Sequence, residues 1–149
     1  MSKANIAGDY FRQGYNCAQS VFAAFKDEMG LEEKLALRIS SGFGGGIGGM
    51  RGICGAVSGM LMAWGALKGY DTPDDQEKKQ KHYASTHALA ENFEYLFGTM
   101  NCAELLAKHN IVTSSAPAER DEDYYLKRPC ARYVEACAGL LEETLKENR

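Results

Sequence analysis

No two of the five cysteines in this 149-residue chain form a CxxC pair. Neither a zinc knuckle nor a thioredoxin-type motif can therefore be read locally. Long apolar runs are missing too: nothing approaches the ~20 residues needed to span a bilayer. The N-terminus is polar, with none of the charge, apolar stretch and small-residue cleavage site of a secretory signal. Lys and Arg are scattered among Asp and Glu, and the net charge is −3. There is no basic face or stripe to advertise a nucleic-acid binder. A Walker loop is lacking, as are a serine elbow and an HExxH pair. His82 and His87 are five apart, and His87 sits near an apolar stripe as a core or supporting group. Alternating strand patterns are scarce. These absences point to a cytoplasmic protein that inserts in no membrane and binds no nucleic acid.

What is present reads as helix. At 149 residues the chain suits one domain able to bury a real core without staples. Residues 3–29 carry Ile6, Tyr10, Cys17, Val21 and Ala24 at helical spacing, with Gly30 as a stop. A short helix follows over 31–40, with Glu32 and Glu33 where the helix dipole favours acids. A third spans 53–67 and ends at Gly69. The fourth starts at Thr72 as N-cap, with Pro73, Asp74 and Asp75 in its first turn. Its apolar face runs Tyr83, Ala90, Phe93 and Phe97, and Gly98 closes it. Asn101 and Glu104 are spaced as a capping box for a fifth helix over 101–108. A polar loop covers 110–121. The last helix begins near Tyr124 or Pro129 and reaches Glu147. The fold class is all-α, a single-domain bundle of five or six helices with a glycine-rich loop.

That loop, residues 41–52, reads SGFGGGIGGMRG. So many glycines cannot sustain helix or strand, and they suit backbone that needs positive φ or close approach. Gly44, Gly46 and Gly49 match GxGxxG, but no strand precedes them and the match is weak. A flexible or tightly turned linker is favoured over an anion-binding nest of amides beside Arg51.

The cysteines carry the chemistry. Cys54 opens the third helix, Cys102 falls in the first turn of the fifth, and Cys130 follows Pro129. Free amides and the dipole's positive end stabilise a thiolate there, and a thiolate is both nucleophile and metal ligand. Cys17 and Cys137 lie on apolar faces, where packing as small hydrophobes competes evenly with function. Cys130 and Cys137 are two turns apart, ~10.5 Å along the axis, too far for a disulfide. Gly55, Ser58 and Gly59 give the third helix a groove of small side chains, for tight packing or for access to Cys54.

Several segments together resemble the redox-active proteins named for their C…GCAxxG…C…C cysteine pattern. They are Gly14-Tyr15-Asn16-Cys17-Ala18-Gln19, the glycine run 43–49, and Ile53-Cys54-Gly55-Ala56-Val57-Ser58-Gly59. Gly98-Thr99-Met100-Asn101-Cys102-Ala103-Glu104-Leu105 and Pro129-Cys130-Ala131-Arg132-Tyr133-Val134 continue the series. The family label writes GCAxxG where this chain reads CGAxxG around Cys54; we read the two as one element. The resemblance implies that Cys17, Cys54, Cys102 and Cys130 are the family's four cysteines and that Cys137 is an extra.

Three functions compete. The first is thiol–disulfide redox chemistry, as a thiol oxidoreductase in its enzymatic form. Cys54 would attack an oxidised thiol or disulfide partner, a protein among the candidates, and Cys17, Cys102 or Cys130 would resolve the mixed disulfide. That reading needs no cofactor. The second is a metal or iron–sulfur module in which Cys17, Cys54, Cys102 and Cys130 supply four thiolate ligands to one metal site. The third is a non-catalytic helical scaffold with inert cysteines.

Overall fold

The computed structural model describes residues 1–148, and among them helices and turns account for nearly all regular structure. The helices are α1 (Lys3–Arg12), α2 (Cys17–Ala24), α3 (Lys26–Met29), α4 (Glu33–Ser40), α5 (Gly55–Lys68), α6 (Gln76–Phe97), α7 (Cys102–Ala107), α8 (Glu122–Lys127) and α9 (Cys130–Glu147). A single 3-10 turn, Ser41–Phe43, follows α4. The only β pairing among the described residues is one antiparallel bridge, Ile53 to Asn101. The class is all-α, as the sequence implies.

The helix count exceeds the expected five or six, because segments expected to be continuous are subdivided. The stretch 3–29 is not one helix. Gly14 takes φ +107° and ends α1, and Asn16 starts α2 afresh. Asn16 accepts from the Gln19 amide while the Gln19 side chain accepts from the Asn16 amide, a reciprocal cap. α8 and α9 are likewise separate, with Arg128 extended before Pro129. The start of α6 also lies later than Thr72. Residues 72–75 make a turn, and the Asp75 side chain caps the helix through the Lys78 amide at 3.1 Å.

α2 is the central element. Ala18, Ser20, Val21, Phe22, Ala23 and Ala24 are all buried, so it must be enclosed on every side. It packs against α1, α4, α5 and α9. Its one buried hydroxyl, Ser20, donates to the Asn16 carbonyl at 2.8 Å. The crossing with α5 is close because Gly59 presents no side chain: a Cβ there would stand 2.6 Å from the Ala18 carbonyl oxygen. The groove of small residues is therefore a packing surface. One continuous apolar cluster runs from Phe11 and Phe25 through Met60 and Trp64 to Phe93 and Leu141.

α6 is different. Only Leu89 and Phe93 of its 22 residues are buried, and Tyr83 and His87 are exposed. Its inward face passes through His82 and Ser85 instead, where Ser85 accepts a hydrogen bond from the Trp64 indole at 2.9 Å. His87 is thus no core group; it lies off the buried stripe.

Candidate functional site

Each of the four family-pattern cysteines stands at a helix start. Cys17, Cys102 and Cys130 are the first residues of α2, α7 and α9, and Cys54 is the N-cap of α5. For Cys17 this corrects its placement on a mid-helix face. The signal was in the sequence: Asn16 and Gln19 have N-cap and N3 spacing around it.

Two of these starts are tied together by backbone. The Cys54 amide donates to the Met100 carbonyl at 2.7 Å, and the Cys102 amide donates to the Gly52 carbonyl at 2.6 Å. This one-rung bridge, Ile53 to Asn101, brings the starts of α5 and α7 together. Asn101 secures it, accepting from the Glu104 amide at 2.9 Å and donating to the Arg51 carbonyl at 3.2 Å. The reciprocal half of the expected capping box is replaced, since the Asn101 amide donates to the Thr99 hydroxyl.

All four cysteines line one cavity of about 410 Å³. Its other walls are the glycine run and the loop 115–118. Five consecutive residues, Gly45 to Gly49, have positive φ, between 54° and 79°. They form a turned segment closed by its own hydrogen bonds, such as Gly48 amide to Gly42 carbonyl and Gly52 amide to Gly46 carbonyl, both 2.8 Å. The run is tightly turned. Ile47 shares this conformation, which costs a β-branched residue about 1–2 kcal/mol. Such strain persists only where its surroundings hold it.

Three arginines reach the same cavity, and no carboxylate among the described residues lines it. Arg51 donates to the Ser114 carbonyl through Nε and Nη2 at 3.2 and 2.8 Å, and through Nη1 to Cys102 Sγ at 3.5 Å. Arg120 donates to the carbonyls of Phe11 and Tyr15 at 3.2 and 2.9 Å and lies over the rings of Phe11 and Tyr124. It pins the loop 110–121 onto α1. Arg128 also stacks on Tyr124, 4.7 Å from the ring centroid. Sequence reasoning noticed only Arg51. Arg120 depends on a loop folding back onto α1, whereas Arg128 stands two residues before Cys130 and could have been found from that spacing.

The electrostatics divide the thiols. Cys17 and Cys130 lie against each other with both thiols free. The Cys17 thiol, acting as donor, lowers the Cys130 pKa; Arg128, Arg120 and Arg51 lower it further, against the effect of burial. Cys17 is pushed well up by the same contact and by burial. Cys54, only 4 % exposed, is pushed up to about 12 by burial, with the Ala56 and Val57 amides opposing. Burial raises the Tyr124 phenol as well, so it stays neutral. Cys137 is fully buried, does not line the cavity, and is raised by the same cause.

No three His, Cys, Asp or Glu side chains among the described residues converge as a metal-holding group. The four cysteines share a cavity without closing on a point. Nor is any helix among them long and apolar enough to cross a membrane.

Neither curated proteins nor solved structures provide a match. A family model does, over residues 15–144, a span containing all five cysteines. The chain belongs to the family described as "Putative redox-active protein (C_GCAxxG_C_C)".

Proposed function

We propose that the protein carries out thiol–disulfide exchange, with Cys130 as the attacking thiolate and Cys17 as the resolving thiol. The observation that carries this reading is the adjacency of those two thiols, one lowered and the other raised in pKa. A nucleophile needs thiolate character and a resolving partner within reach. Cys54 fits the attacking role less well than the sequence alone suggests, since its buried thiol stays protonated near neutral pH. Cys102, half-exposed beside Arg51, is placed to relay oxidation toward the surface. A cytoplasmic location, with the chain acting as one domain, would keep these thiols reduced between turnovers.

The test is mild oxidation of the reduced protein followed by mapping of disulfide-linked peptides. The expected product is a Cys17–Cys130 bridge, formed with loss of two thiols. Cys130→Ser is expected to abolish the fast phase. Thiols that react no faster than those of the unfolded chain, with no Cys17–Cys130 peptide, overturn the proposal.

A further inference from the structure

The cavity's charge is at odds with that of the chain around it. The protein carries a net −3, yet Arg51, Arg120 and Arg128 line the cavity and no Asp or Glu among the described residues does. Arg51 and Arg120 spend donors on backbone carbonyls. The guanidinium of Arg128 does not: among the described residues it makes no side-chain hydrogen bond and no ion pair. It is half-buried, with its guanidinium carbon over the Tyr124 ring, 4.7 Å from the centroid. A preorganised guanidinium with its fork unspent is the standard recognition element for a carboxylate, which it can hold through two parallel hydrogen bonds.

Size and access narrow the partner. The cavity of about 410 Å³ falls within the ~300–1,000 Å³ typical of small-molecule sites. Cys130 is 8 % exposed and lines the cavity together with Ser115, Ala116 and Pro117. A thiol so little exposed, in a cavity of this volume, favours a small free disulfide over one fixed in a folded protein.

We propose that the oxidised partner is a low-molecular-weight disulfide bearing carboxylates, held by Arg128 with its sulfur–sulfur bond directed at Cys130. This inference rests on the thiol–disulfide reading above and adds the class of substrate. The Cys130 thiolate attacks one substrate sulfur, the substrate S–S bond breaks, and a first thiolate leaves and takes up a proton from solvent. Cys17 then loses its proton and attacks the Cys130 sulfur of the mixed disulfide, expelling the second substrate thiolate, which accepts that proton. Two electrons pass from the protein to the substrate: one disulfide becomes two thiols, and two protein thiols become one disulfide. A dithiol reductant returns the protein to its starting state.

Three symmetric disulfides of similar length test the charge preference: 3,3′-dithiodipropionate (anionic), bis(2-hydroxyethyl) disulfide (neutral) and cystamine (cationic). The rate of thiol loss from the reduced full-length protein is measured in a single turnover with each. Each rate is divided by that of a small free thiol with the same probe, which removes intrinsic reactivity. The normalised anionic rate is expected to exceed the cationic one at least about tenfold, with the neutral probe between them. Raising the salt concentration should narrow that spread in the unmodified protein. In Arg128→Gln the anionic-to-neutral ratio is expected to fall toward one, and Arg128→Lys to restore part of it. Equal normalised rates for all three probes, or a ratio unmoved by salt and by Arg128→Gln, overturn the anionic-substrate proposal while leaving thiol–disulfide exchange standing. Failure of every probe to oxidise the protein overturns both.

Discussion

Cys17 and Cys130 begin two different helices, α2 and α9, and those helix starts bring their thiols against each other in the wall of one cavity. Their mutual contact lowers the pKa of Cys130 and raises that of Cys17. A pair of cysteines far apart in the chain thereby acquires the asymmetry that a local motif otherwise supplies.

The first prediction concerns reactivity against pH. A lowered pKa leaves Cys130 ionised below the ordinary thiol range of about 8.5. The rate of Cys130 alkylation by a small, neutral reagent should therefore rise with a midpoint below that value. Cys17→Ala removes the largest cause of the lowering, so the midpoint should move up. A midpoint unchanged by the substitution would show that the arginines alone set it. Alkylation followed by peptide mass analysis reads the site directly.

Alkaline stability follows from the raised thiols. Cys54 and Cys137 hold their protons in the folded protein but ionise at about 8.5 once unfolded. The unfolded state then binds fewer protons, so stability falls as pH rises above ~8.5, toward about 12 in the case of Cys54. Below that window neither group contributes a slope. Each thiol adds up to about 1.4 kcal/mol per pH unit. Urea unfolding between pH 7.5 and 10.5 should show the decline, and Cys137→Ala should make it shallower by one thiol's share.

Two glycines of α5 should respond in opposite directions. A methyl group at Gly59 would meet the Ala18 backbone, forcing α5 away from α2, so Gly59→Ala is expected to cost about 2–3 kcal/mol. Gly65 has nothing within 4 Å of its missing Cβ. There Gly65→Ala should stabilise the helix by about 0.5–1 kcal/mol. Thermal melts of the two variants decide this.

Arg120 should govern the loop 110–121. Its guanidinium bonds to the Phe11 and Tyr15 carbonyls and lies over the Phe11 and Tyr124 rings, and Arg120→Ala removes all of these contacts at once. The expected loss is about 2 kcal/mol. Limited proteolysis should then cut within the loop faster than in the unmodified protein, while a comparable rate would mean that Arg51 and its bonds to Ser114 hold the loop alone.

Much of this was legible in the residues. Gly30 and Gly98 end helices in left-handed conformations, and Asn101 caps α7. The cysteines at 54, 102 and 130 stand at helix starts because glycine, asparagine and proline mark those boundaries locally. The break before Cys17 was harder to read. One glycine in a strongly periodic apolar run looks tolerable, and the apolar period continues across it because α1 and α2 face the same core. Of the three arginines, only Arg51 was legible. Arg120 acts through contacts distant in sequence, and only the folded chain reveals that Arg51, Arg120 and Arg128 line one cavity in an acidic protein.

The sparse burial of α6 has a practical outcome. Trp64 is the chain's single tryptophan, it is 5 % exposed, and its indole N–H is satisfied by Ser85 of α6. An element with only Leu89 and Phe93 fully buried is expected at the low end of local stability, opening before the rest. When it does, the indole meets water. Native fluorescence is thus an intrinsic, label-free gauge of α6 undocking, readable at denaturant concentrations where the other helices remain folded.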